Sequence, residues 1–266
     1  MSLTKGTGPL SGRSADTNYT VDAPPHRILF EPDPRRLRAY VGDQLVLDTT
    51  RAHLLHETGI RPVAYAPIED YAASVLDRSS KTTHCPFKGD ATYWTVRVGD
   101  DVREDAVWAY EEPIDSAPWL AGFAAMYFGK ADRWLVEDEE AVGHLRDPYH
   151  RIDVYPSSRP ARVSAGDDVL ASVERPKLLF ETGEPVRAYM APGVVEPGRL
   201  APSRTRTVCP YKGEATYWHV HAGGEVFEDG AITYELPRAE AMKIAGLVCF
   251  IADGLTVELE AAHSLK

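Results

Sequence analysis

Apolar and polar positions alternate with a period of two through much of this chain, the pattern of half-buried β-strands, and little of it leaves room for a long helix. Arg38 to Asp48 reads as two short strands around the turn pair Gly42-Asp43. Leu54 to Glu57 and Val63 to Ala66 are short apolar runs with Gly59 and Pro62 between them, again strand and turn. Pro67 to Leu76 predicts one or two helical turns. From Asp90 to Val98, alternation puts Ala91, Tyr93 and Thr95 on one face, and Thr92, Trp94 and Val96 on the other. Toward the C-terminus, Leu247 to Ala252 and Leu255 to Leu259 flank Asp253-Gly254, the strongest short hairpin signal in the chain. Phe123 to Phe128 and Arg133 to Glu137 flank a longer turn, and Arg238 to Ile244 reads as a short helix capped by Gly246.

The same pattern is written twice. Sliding the sequence by 124 positions aligns His26 to Pro113 with His150 to Pro237, giving 35 identities in 88 positions without a gap. Composition alone would give roughly five. Leu54, Leu55, Glu57, Thr58 and Gly59 recur as Leu178, Leu179, Glu181, Thr182 and Gly183. An inserted residue would flip every strand face downstream, so an ungapped register predicts one fold used twice. The expected fold class is mostly β: two tandem antiparallel β-rich domains with short helical segments, over residues 21–140 and 145–262, joined by a linker near Glu139 to Tyr149. Residues 1–20, rich in Ser, Thr and Gly, read as a disordered tail without the apolar run of a signal peptide. Thr95 and Arg97 become His219 and His221, whereas Trp94 and Val96 persist, which predicts that the Trp face is core and the Tyr93 face a cleft or solvent.

Composition narrows the function classes. A net charge of −11 and a pI near 5.3 repel phosphate backbones and anionic membrane surfaces, so neither nucleic acid nor a membrane is an expected partner. No apolar run reaches the ~18 residues of a membrane span. Three scattered cysteines, Cys85, Cys209 and Cys249, suit a reducing compartment, which makes the cytoplasm the expected location.

The longest conserved block between the halves is CPFKGDATYWTV, Cys85 to Val96, recurring as CPYKGEATYWHV, Cys209 to Val220. Glu104-Asp105 and Tyr110-Glu111 recur as Glu228-Asp229 and Tyr234-Glu235. With the upstream LLxETG, these motifs resemble the family called domain of unknown function 427, in both halves and over nearly the whole chain from His26 onward. The resemblance implies a compact β-rich domain similar to the β-tent folds, which include methionine sulfoxide reductase B and the thalidomide-binding domain of cereblon. Many β-tent relatives hold zinc through two pairs of cysteines, but this chain has one cysteine in each motif and no CxxC, so no metal site is assigned. The family sometimes carries a nucleotidyltransferase label. The chain offers it neither a glycine-rich phosphate loop nor clustered aspartates, and no cofactor is assigned.

The candidate chemistry lies in residues present in both halves. Cys85 and Cys209 precede proline, and Lys88-Gly89 or Lys212-Gly213 then closes a turn, so a lysine ammonium could favour a nucleophilic thiolate. The plainer reading is a small buried cysteine at a β-turn. A histidine base would have to be His26 or His150, because His84 is Val208 in the second half. Glu57 and Glu181 are candidate acid–base groups or charges at strand ends. Arg51 and Arg175, six residues earlier, offer a salt bridge to each glutamate or an anchor for a carboxylate ligand. Tyr65, Tyr93, Tyr189 and Tyr217, with Tyr110 and Tyr234, could line a pocket or pack in a core. Glu104-Asp105 and Glu228-Asp229 read as solvated turns. Two functions compete: a module binding a small molecule in a pocket of Cys, Lys, Glu and Tyr, and a cofactor-free enzyme with Cys as nucleophile activated by Lys. The two copies could also pair with one another within the chain.

Overall fold

The computed structural model describes Asn18 and residues 24–260; apart from Asn18, the tail expected over residues 1–20 lies outside the described residues. The chain divides into two compact units, Met1–Asp147 and Pro148–Lys266. Both are built from antiparallel strands, and among the described residues helical structure is confined to short 3-10 segments such as Ile68–Asp70 and Ala73–Val75.

The first unit runs β1 (Ile28–Pro32), β2 (Leu37–Val41), β3 (Gln44–Thr49), β4 (His53–Glu57), β5 (Val63–Pro67), β6 (Leu76–Cys85), β7 (Gly89–Val98), β8 (Asp101–Ala109), β9 (Phe123–Met126), β10 (Arg133–Val136) and β11 (Glu139–Ala141). Seven strands form one sheet in the order β1-β4-β5-β9-β8-β7-β6, and four form another in the order β11-β10-β2-β3. Alternation along β2 (Leu37, Ala39 and Val41 buried) drives the small sheet onto the large one. Ala39, Val41, Val46, Val96, Val107 and Trp134 share that core. The other face of the large sheet is buried as well, by Leu55, Tyr65, Ala91, Tyr93, Tyr110 and Leu120.

The second unit repeats the plan with β12 (Ile152–Pro156), β13 (Ala161–Ala165), β14 (Asp168–Val173), β15 (Lys177–Glu181), β16 (Arg187–Tyr189), β17 (Leu200–Cys209), β18 (Gly213–Ala222), β19 (Glu225–Thr233), β20 (Val248–Phe250) and β21 (Thr256–Leu259). Nine strands, β12 to β20, carry the 124-residue register at one or both ends. From β10 to β21 it drops to 123, with Arg133↔Tyr40 answered by Thr256↔Ser164, because the preceding turn is one residue shorter. The large sheet is interrupted here: β16 has three residues, and its link to β20 shrinks to the single bridge Met190↔Val248.

Four expectations are corrected. Asp253-Gly254 does not close a hairpin: β20 pairs with β19, and β21 with β13, so the chain changes sheets at that turn. Tyr93 faces neither cleft nor solvent, being 5% exposed, while Trp94 is only partly buried; β1, β4 and the Pro118–Leu120 turn cover the Tyr face and give it a core of its own. Glu104-Asp105 and Glu228-Asp229 are not turns but lie inside β8 and β19, where Asp105 and Asp229 adopt φ of 50° and 51° beside bulges in β7 and β18. Glu139 to Ala141, expected to begin the linker, forms β11 against β10.

Candidate functional site

The repeated motifs meet at one end of each unit. Cys85 to Lys88 form a turn, with the Lys88 N–H donating to the Cys85 carbonyl at 3.2 Å. Gly89 then takes φ of 104°, where a Cβ would come within 3.3 Å of the Glu112 carbonyl oxygen and the Ile114 nitrogen. Glycine is needed there for conformation and for close approach. Gly213 repeats the geometry at φ of 98°. The Lys88 carbonyl accepts the Ile114 N–H at 3.2 Å, and the Lys212 carbonyl accepts the Arg238 N–H at 3.0 Å, so the turn is fastened to the segment after Tyr110 or Tyr234.

On the opposite side, β1 begins where β4 ends, with Ile28 paired to Glu57. The Thr58 hydroxyl accepts the Arg27 N–H at 2.9 Å, and Thr182 does the same for Arg151. This fixes Glu57 and Glu181 at the ends of their strands, facing the turn. Lys88 Nζ donates to Glu57 Oε2, and Lys212 Nζ to Glu181 Oε2. The second carboxylate oxygen is met by histidine: His26 Nε2 lies 2.8 Å from Glu57 Oε1, and His150 Nε2 lies 3.0 Å from Glu181 Oε1. Each imidazole stacks on the aromatic residue of the turn, at 3.6 Å for His26 on Phe87 and 3.9 Å for His150 on Tyr211. Beneath, Lys88 lies 5.9 Å from the Tyr110 ring and Lys212 6.0 Å from the Tyr234 ring.

In the first unit β4 and β6 belong to opposite margins of the seven-stranded sheet, so this His–Glu–Lys cluster ties the two sides of a curled sheet together. The charges are largely withdrawn from water, with side-chain exposures of 7% for Glu57 and 8% for Lys88. Burial raises the Glu181 carboxyl, but hydrogen bonds and charge from His150 and Lys212 outweigh it and hold the group at about 2. The cluster can therefore keep a carboxylate ionised in a nearly dry place and orient an imidazole against it.

The other predicted residues divide. Cys85, Tyr65, Tyr93 and Tyr110 gather in one packed cluster, and Cys209, Tyr189, Tyr217 and Tyr234 in its counterpart. The first-unit tyrosines are core residues, and burial pushes the phenols of Tyr65, Tyr110, Tyr189 and Tyr234 up. The Tyr93 hydroxyl bonds Thr83 at 2.9 Å, and that of Tyr217 bonds Thr207 at 2.8 Å. Cys85 and Cys209 are half-buried, whereas Cys249 is fully buried and burial pushes its thiol up to about 12. Arg51 does not reach Glu57: it pairs with Glu69 and Asp70, because it precedes the strand that Glu57 ends and six extended residues separate them by about 20 Å. Arg175 is exposed. The sequence offers His26 and His150, through their shared offset, as bases for a cysteine, whereas the structure sets both against glutamate; the rings stacked on them, Phe87 and Tyr211, were not among the candidates.

In the second unit an open cleft of about 230 Å³ flanks the cluster, lined by Arg151, Asp153, Phe180, Glu181, Thr182, Glu184 and Val186. Among the described residues no group of three or more His, Cys, Asp and Glu side chains is arranged to hold a metal ion, and no helix is long and apolar enough to cross a membrane. A family model described as a domain of unknown function (DUF427) matches residues 29–137 and again 153–261, at the same 124-residue offset. No curated protein matches the chain.

Proposed function

The chain belongs, in both halves, to the domain of unknown function 427 family, and from that premise we propose that each unit is a small-molecule-binding module whose site is built around the buried glutamate at the end of β4 or β15. The supporting observation is the His–Glu–Lys cluster with its stacked ring, present twice with the same atoms in contact although 53 of the 88 aligned positions differ (88 less 35 identities). Apolar residues of similar volume often hold a fold as well as a buried ion pair does, so a pair kept in both copies points to a use for its polarity. Glu181 also borders the cleft on the second unit, where a polar ligand could meet it.

The competing reading, a cysteine nucleophile activated by lysine, has less support because both ammoniums donate to glutamate. The two readings separate in one experiment. Small molecules retained by the purified protein are identified by mass spectrometry for the wild type, for Glu57→Gln with Glu181→Gln, and for Cys85→Ser with Cys209→Ser, with circular dichroism to confirm folding. Loss of bound molecules in the glutamine variant and their retention in the serine variant is the expected result. Equal retention in all three would remove the glutamate site, and rapid iodoacetamide labelling of Cys85 and Cys209 at neutral pH would favour the nucleophile.

A further inference from the structure

Of the seven residues lining the second unit's cleft, three recur at the matching positions of the first unit and four do not. Arg151, Glu181 and Thr182 correspond to Arg27, Glu57 and Thr58. Around them Asp153 replaces Leu29, Glu184 replaces Ile60, Phe180 replaces His56 and Val186 replaces Pro62. The lining thus includes large apolar side chains left in water, Phe180 at 38% and Val186 at 43% exposed. The lining holds three carboxylates against one guanidinium, and that guanidinium grips Asp153 with both arms, at 2.8 and 3.1 Å. Glu181 is satisfied from behind by His150 and Lys212. The Glu184 carboxylate has no side-chain partner among the described residues.

Resting on the small-molecule reading above, we infer that the second unit's cleft selects a small organic ammonium with an aromatic or aliphatic body. The apolar body lies on Phe180 and Val186 and the ammonium meets Glu184, while Asp153 cancels the Arg151 charge that would otherwise repel it. A cation–π contribution from the half-exposed Phe180 ring favours the same charge. An anion would meet the opposite field, since Arg151 is already engaged. The corresponding surface of the first unit, with Leu29 and Ile60 in place of Asp153 and Glu184, lacks this preference.

The probes are 2-phenylethylammonium, phenylacetate and 2-phenylethanol, which share a body and differ in charge, titrated into the full chain and followed by protein-observed NMR. The ammonium is expected to bind saturably, at least tenfold more tightly than the alcohol, with phenylacetate weakest. Glu184→Ile should weaken it about tenfold, and Asp153→Leu with Glu184→Ile should abolish it, with amide spectra away from the cleft unchanged. Binding undiminished in the double variant would overturn the inference, as would tighter binding of phenylacetate or no binding of any probe. These outcomes leave the broader reading to the retention experiment with the Glu57→Gln and Glu181→Gln variant, which fails or succeeds independently of ligand charge.

Discussion

At the scale of single residues, the two lysines of the repeated turn are best understood through what each leaves behind when removed. Lys88→Met strands a nearly dry Glu57 with only His26, and breaking a buried pair from one side costs about 3–5 kcal/mol. Removing both charges, as Glu57→Gln with Lys88→Met, should recover most of that loss. A urea-denaturation double-mutant cycle measures the coupling, and strictly additive losses would show that the pair contributes nothing beyond its parts. Glu181 adds a pH signature. Its carboxyl is held at about 2 in the folded unit, below the ~4.3 of an unfolded glutamate, so at pH between those values the folded state binds fewer protons than the unfolded state. Its stabilisation is fully present above about pH 4.5 and drains away as pH drops toward 2. The urea midpoint should therefore fall across that window in wild type, and less steeply in Glu181→Gln; parallel curves would contradict the assignment.

At the scale of elements, glycine decides where the long hairpins end. Gly89 combines φ of 104° with backbone atoms 3.3 Å from any added Cβ. Gly89→Ala should cost at least about 1–2 kcal/mol and displace Lys88 from Glu57, read as a lowered Tm together with loss of the Lys88 Nζ signal shift in NMR. An unchanged Tm would mean that the turn relaxes freely. Strands of this kind were legible in the sequence because a period of two and an ungapped repeat are local facts. The partners of strands were less so. Asp253-Gly254 has the composition of a hairpin turn, yet Gly254 serves the approach of Phe227, whose Cε1 would lie 2.9 Å from a Cβ there. Turn chemistry fixes a reversal of direction and leaves open which neighbour the next strand joins. Tyr93 was misplaced for a related reason: alternation tells two faces apart but not whether a curled sheet buries both, as this one does. Glu57 with Lys88 was legible as two candidates, but their meeting depends on that same curl, which no spacing encodes.

At the scale of the whole molecule, duplication turns one observation into two. His26, Glu57 and Lys88 lie 31 residues apart in sequence, as do His150, Glu181 and Lys212, and every contact in the first set is answered in the second. Each unit also has cores drawn wholly from its own residues, Val96 with Trp134 and Leu55 with Leu120 in one, Val163 with Val220 and Leu179 with Ile244 in the other. A domain with its own core folds alone. Residues 24–147 and 148–266, expressed separately, should therefore each unfold cooperatively, and in the intact chain Lys88→Met should move one calorimetric transition while Lys212→Met moves the other. The Lys212 effect should be the smaller, since its side chain is 14% exposed against 8% for Lys88. A single transition shifted equally by either substitution would mean that the halves stand or fall together, and that the cluster in one half is supported by the stability of the whole.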